Sequence, residues 1–160
     1  MRYTLMITAA LLAGPALAAN VDVKLDHPEN FADARDNLRS KDDVGKALAE
    51  HLQALGSKNL PADQKLEITI RDIDLAGDMR PRFRTGQDVR IIRGRADWPR
   101  VDLSYVLRSG DKVLSRGSES IADMNYTMNQ SYSAGSQDAF FYEKRMLTKW
   151  FRERLAPDMH

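Results

Sequence analysis

VDLSYVLRSGDKVLSRGSESI, running from Val101 to Ile121, decides the fold. Val101, Leu103, Tyr105 and Leu107 alternate with Asp102, Ser104, Val106 and Arg108. A period of two marks a strand with one buried face. Ser109-Gly110-Asp111 supplies a tight turn, and Val113 to Ile121 returns as the partner strand. A hairpin with one apolar face needs something to cover it.

The cover lies at the two ends of the chain. Downstream, a helix is expected from about Ala139 to Leu155, stopped by Pro157. Phe140, Met146, Leu147, Trp150, Phe151 and Leu155 share one side of it, with Glu143 as the polar member. Upstream, Ser40 and Asp43 form a variant of the capping box, and Val44, Ala47, Leu48, Leu52 and Leu55 follow helical spacing. Gly56 is the expected stop of that helix. His51 borders its stripe and is expected at the surface.

Two further strands flank the first helix. Val21, Val23 and Leu25 alternate with acids and Lys24, and Pro28 ends the run. The following polar segment, Glu29 to Arg39, has Phe31 and Leu38 as its anchors. Leu66, Ile68 and Ile70 define the other strand, after which the apolar phase slips by one to Ile73 and Leu75. A slip of this kind predicts a β-bulge near Arg71 and Asp72. Val89 to Ile92 reads as a short extra strand. The expectation is therefore an α+β two-layer sandwich: a mostly antiparallel sheet of four to five strands with two helices on one face. The strands joined by the first helix can run parallel as a crossover.

Residues 1–18 read differently from the rest. Arg2 precedes an uncharged run from Thr4 to Ala13, Gly14 and Pro15 break it, and Ala16-Leu17-Ala18 is a small-x-small cleavage site. These are the parts of a secretory signal peptide, with the cut placed before Ala19. The apolar run is about half the roughly 20 residues a membrane-spanning helix needs. Residues 19–160 then form one exported domain, placed in the periplasm. It has no cysteine, so neither a disulfide nor a lipidated cysteine enters the argument.

Cleavage would remove Arg2, taking the 24 basic residues to 23 and matching the 23 acidic ones. A neutral domain is a poor nucleic-acid binder, because that affinity comes mostly from neutralising phosphates. The charge is nevertheless uneven. Ala19 to Met79 carries 8 bases and 13 acids, whereas Arg80 to Arg100 carries 7 arginines and 2 aspartates. Such a layout pairs internally or faces a charged partner.

Catalytic signals are sparse. No Gly-x-Ser-x-Gly elbow occurs, and His27, His51 and His160 match no zinc spacing. Asp72 to Asp78 has part of an EF-hand pattern, but Ala76 and Phe83 occupy positions where ligands belong. No cofactor is implied. Asp72, Asp74 and Asp78 are expected to pair with Arg80, Arg82, Arg84, Arg93 and Arg95. An anion site in this region is the functional alternative. Asp97 and Trp98, with the turn containing Asp123, Asn125 and Tyr126, are candidates to line a cleft for sugars or peptides. The alternative is that Trp98 packs beneath the hairpin and Asp123 or Asn125 caps a turn.

Four segments carry a resemblance. They are DIDLAG (Asp72–Gly77), IIRGRADWPRVDLSY (Ile91–Tyr105), ADMNY (Ala122–Tyr126) and YEKRMLTKWF (Tyr142–Phe151). Together and in this order they resemble a bacterial family of exported proteins, the domain of unknown function 3016. The resemblance covers nearly all of the chain after residue 18 and implies a signal peptide and a single domain. It implies no activity, cofactor or mapped site. The functional expectation is a non-catalytic periplasmic binding or assembly protein that meets an envelope protein or an anionic envelope polymer. It would do so through Arg80–Arg100 or the polar loop Tyr126–Asp138. A small hydrolase acting on envelope sugars or peptides is the runner-up. Oligomeric state is open.

Overall fold

A computed structural model describes residues 19–35, 39–82, 87–94, 96–128 and 138–157. Six strands and two long helices follow one another as β1 (Asn20–Leu25), α1 (Lys41–Asn59), β2 (Gln64–Asp74), β3 (Asp78–Arg82), β4 (Gln87–Ile91), β5 (Arg100–Ser109), β6 (Lys112–Ala122) and α2 (Phe141–Arg154). The main sheet has four strands in the order β1-β2-β5-β6, and β3 and β4 form a separate two-stranded ribbon. The α+β class holds. The ribbon is an addition, since only β4 was legible and only approximately.

β1 and β2 are parallel, with Val21 beside Leu66 and Val23 beside Ile68. Helix α1 makes the crossover between them. β5 lies antiparallel to both β2 and β6. The sheet buries Leu66, Ile68, Ile70, Ile73, Val101, Leu103, Tyr105, Leu107 and Ile121 on one side. Helix α1 lays Val44, Leu48 and Leu52 over this side, and α2 adds Met146, Leu147, Trp150 and Phe151. The Tyr105 and Trp150 rings meet edge to face at 5.5 Å, a favourable arrangement for their quadrupoles.

The predicted bulge is present. The β2–β5 register shifts between Ile70 and Asp72, so Arg71 is the extra residue. This shift keeps Ile73 and Leu75 in the core after Ile70. The predicted capping box is also present: Ser40 Oγ accepts from Asp43 N at 3.2 Å, and Ser40 N donates to the Asp43 carboxylate at 3.1 Å.

Two expectations about α1 are corrected. Gly56 does not end the helix, which continues to Asn59. It is buried because α1 packs closely on β1, and a Cβ there would lie 2.5 Å from Val21 Cγ2. His51 is half-buried rather than fully at the surface. Its Nε2 lies 3.0 Å from Lys144 O and 2.9 Å from Thr148 Oγ1, in the seam between α1 and α2. A carbonyl only accepts, so Nε2 carries a proton. Burial lowers the pKa of the ring from its ordinary value. Phe31 is buried as expected, while Leu38 lies outside the described residues.

Candidate functional site

The polar residues singled out in the sequence gather where β2 leaves its bulge. On one side of that strand end, Asp33 N donates to Ile73 O at 3.2 Å and Leu75 N donates to Asp33 O at 2.9 Å. On the other side lies the start of β5. This crowding brings Asp33, Asp72, Asp74, Arg90 and Arg100 together.

The aspartates here are engaged. Asp72 accepts from Ala32 N at 2.7 Å and Ile73 N at 2.9 Å through one oxygen, and faces Arg100 at 3.4 Å through the other. Asp74 lies 3.8 Å from the same guanidinium. Its pKa is raised, chiefly by burial, with Arg100 acting against the shift. Asp33 takes a two-pronged contact from Arg90, at 2.9 and 3.0 Å. Arg90 also donates to Gly77 O and Arg35 O, each at 2.7 Å. One guanidinium thus staples β4 to the segment before α1 and to the exit of β2. Gly77 has φ +81, and a Cβ would meet Ile91 O at 2.5 Å, so this staple requires glycine.

The internal Asp–Arg network was expected, but with other arginines. Arg100 and Arg90 supply the pairs for Asp72, Asp74 and Asp33. Of the arginines named beforehand, Arg80 pairs with Asp78 at 3.1 Å. Arg93 contributes only its backbone amide, which donates to Asp97 at 3.0 Å. Arg84 and Arg95 lie outside the described residues. The correction is geometric: β3 and β4 pair in a ribbon apart from the main sheet, and Arg82 at the end of β3 and Arg93 just past β4 are both exposed. Neither has an ion pair among the described residues.

Asp97 and Tyr126 do come together, as a lock. The Tyr126 hydroxyl donates to Asp97 at 2.8 Å and accepts from Gly94 N at 3.1 Å. The ring is buried, so it offers no stacking surface. Its pKa is pushed up to about 12, by burial first and then by the Asp97 carboxylate. Asp123 caps its turn by accepting from Asn125 N at 3.1 Å. Its other oxygen takes Arg145 at 3.0 Å, and Arg145 also donates to Tyr126 O at 2.6 Å. Asn125 itself is exposed. Trp98 is half-buried and does line a cleft of about 300 Å³ with Asp33, Asp74, Asp78, Asp97 and Arg100. Most of the loop after Tyr126 lies outside the described residues.

Sequence reading missed Asp33, Arg90, Arg100 and Arg145, because a period places a residue on a face of its own element and does not show which residue of another element it meets. Glu143 gave a signal, as the polar member of an apolar face. It is 3 % exposed and accepts from Ala76 N at 2.8 Å, and burial raises its pKa. No cluster of three or more metal-ligating side chains occurs among the described residues. No described helix is long and apolar enough to cross a membrane.

No curated protein and no solved structure matches the chain. The model of one family, described as a protein of unknown function (DUF3016), does match, over residues 19–153. With that match running from before β1 into the last turn of α2, the four quoted blocks and the fold that joins them have a common explanation: the chain belongs to the DUF3016 family.

Proposed function

We propose that this protein is exported to the periplasm and works there as a non-catalytic binding or assembly factor, meeting an anionic envelope polymer or an acidic envelope protein through the β3–β4 ribbon. The observation that carries this reading is two exposed guanidinium groups without an ion pair among the described residues, Arg82 at the end of β3 and Arg93 just past β4. Ile91 and Ile92 precede Arg93 in the chain at 36 % and 39 % exposure, while Arg82 stands at the other end of the ribbon, across from Gln87. Guanidinium groups recognise phosphate and carboxylate through paired hydrogen bonds, and flanking apolar side chains add contact area. The signal-like residues 1–18 supply the reason for the compartment. The hydrolase reading loses ground, because the aspartates that line the cleft beside Trp98 are each engaged: Asp74 faces Arg100, Asp33 is held by Arg90, Asp78 by Arg80, and Asp97 accepts from Tyr126.

The test uses immobilised polyphosphate and polyglutamate as phosphate and carboxylate probes, followed by envelope extract. The protein should be retained at low salt and released as salt rises. The double substitution Arg82→Glu with Arg93→Glu should abolish retention without moving the melting temperature. Retention unchanged by that double substitution would exclude the ribbon as the contact surface. A protein recovered from the cytosol with Met1 intact would remove the periplasmic setting.

A further inference from the structure

The main sheet ends on β6, and no described strand lies beyond it. Its outward N–H and C=O groups are therefore a template for another strand. Natural sheets usually blunt such an edge with lysine, proline or a bulge. The half of β6 from Gly117 to Ala122, GSESIA, has neither lysine nor proline. It also keeps unbroken register with β5, from Gly117 beside Tyr105 to Ala122 beside Arg100. The irregularity of this pair falls at the far end, between Leu107 and Arg108. The opposite edge of the sheet is different: β1 has only six residues and carries Lys24.

Helix α2 runs beside this half of β6, and a groove of about 850 Å³ opens between them. Ile121, Met146 and Trp150, all buried, are its apolar members together with Ala122. Its charges are sorted. Glu119 is taken by Arg154 at 3.3 Å and by Trp150 Nε1 at 3.1 Å, and Asp123 is taken by Arg145. Lys149 and Arg152, both exposed and lining the groove, have no ion pair among the described residues. Glu153 is the lining carboxylate without an ion pair among the described residues, so two cations stand against one anion and the uncommitted charge is positive.

We propose that the free edge of β6 and the facing side of α2 form a docking groove for an extended acidic polypeptide segment of a partner protein, which joins the sheet as a fifth strand. Main-chain hydrogen bonds to Gly117–Ala122 would give affinity, and alternate acidic side chains would reach Lys149 and Arg152. This surface is separate from the β3–β4 ribbon, and the inference stands without the reading given to that ribbon.

The probe is a synthetic peptide of alternating glutamate and valine. Its controls are a lysine–valine counterpart and two versions N-methylated at alternate residues in opposite phase. A strand in an antiparallel or parallel ladder presents its N–H groups to one side at every second residue. One N-methylated phase should therefore lose binding by calorimetry while the other keeps it. Amide shifts should map to residues 117–122. The lysine peptide should bind at least about tenfold more weakly at low salt. The double substitution Lys149→Glu with Arg152→Glu should invert that preference with the melting temperature unchanged. The proposal is overturned if no peptide binds, if both N-methylated phases behave alike, or if charge reversal changes nothing. It is also overturned if sedimentation shows the protein pairing through β6 with a second copy of itself.

Discussion

Tyr126 ties two loops that are distant in sequence. Its hydroxyl stands between Gly94 N and the Asp97 carboxylate, 32 and 29 residues away. Tyr126→Phe keeps the ring in place and removes both hydrogen bonds, leaving the Gly94 amide short of its acceptor. A loss of about 1–3 kcal/mol is expected from urea unfolding. An unchanged midpoint would show that water replaces the hydroxyl at no cost.

Two titratable groups, the buried Glu143 and the half-buried His51, should give opposite slopes of stability with pH. Glu143 has its folded pKa raised by burial, so the folded state binds a proton more readily than the unfolded state. Its contribution is full below the ordinary glutamate range and is lost as pH rises through the folded value. Glu143→Gln keeps an acceptor for Ala76 N–H, so it should hold or raise stability near pH 8 and cancel the gain on acidification. His51 has its folded pKa lowered, chiefly by burial. Its contribution is present above the ordinary histidine range and is lost as pH falls through that range toward the folded value. His51→Gln, which can still donate to Lys144 O, should flatten that acid-side loss. Thermal unfolding of both variants between about pH 5 and 8 checks the two signs together.

At the scale of the element, the contact between α1 and β1 depends on a missing side chain. Alanine is a better helix former than glycine by roughly 1 kcal/mol. At position 56 that gain is outweighed, because the new Cβ would meet Val21 Cγ2 at 2.5 Å. Gly56→Ala should destabilise by about 1–3 kcal/mol, and adding Val21→Ala should restore part of the loss. If the two substitutions are strictly additive in a double-mutant cycle, the two sites do not touch.

The regular elements were legible because each carries a period. Alternation marked β1, β2 and β5, the Ser109-Gly110-Asp111 turn marked β6 as the returning strand, the capping box marked the start of α1, and the phase slip after Ile70 marked the bulge. The β3–β4 ribbon was only half visible, since Pro81 and the run of arginines hide any alternation there. Gly56 misled because a glycine near a helix end and a glycine under a crossing strand look alike in sequence. The candidate site was legible as a list of residue types and not as a set of contacts. Asp97 and Tyr126 were both named, yet that they bond to each other depends on two loop paths. The part given to Arg90 depends likewise on where the ribbon curls, and that of Arg100 on the β2–β5 register that sets it opposite Asp74.

Across the whole molecule, stability should be uneven. The four-stranded sheet shares one core with both helices, whereas the ribbon is held largely by Arg90 and by Gly77, whose amide donates to Asp97 O at 2.8 Å. Such a unit opens locally at lower cost than the global fold. Amides of Asp78–Arg82 and Gln87–Ile91 should therefore exchange with solvent faster than those of β2 and β5. Arg90→Gln should speed exchange in the ribbon by about tenfold or more while leaving β2 and β5 nearly unchanged. Equal acceleration in all strands would mean that ribbon and sheet open as one unit.

The bulge at Arg71 reaches beyond its own turn of chain. Ile73 and Leu75 point inward, and Asp72 and Asp74 point toward Arg100, because one surplus backbone unit resets the parity of everything after Ile70. Excising Arg71 would swap oily for wet along the last stretch of β2. The aspartates would be driven among leucines, and the rim on which Trp98 sits would lose its acidic wall. A single peptide unit is thus the hinge between a sealed interior and a chemically furnished exterior.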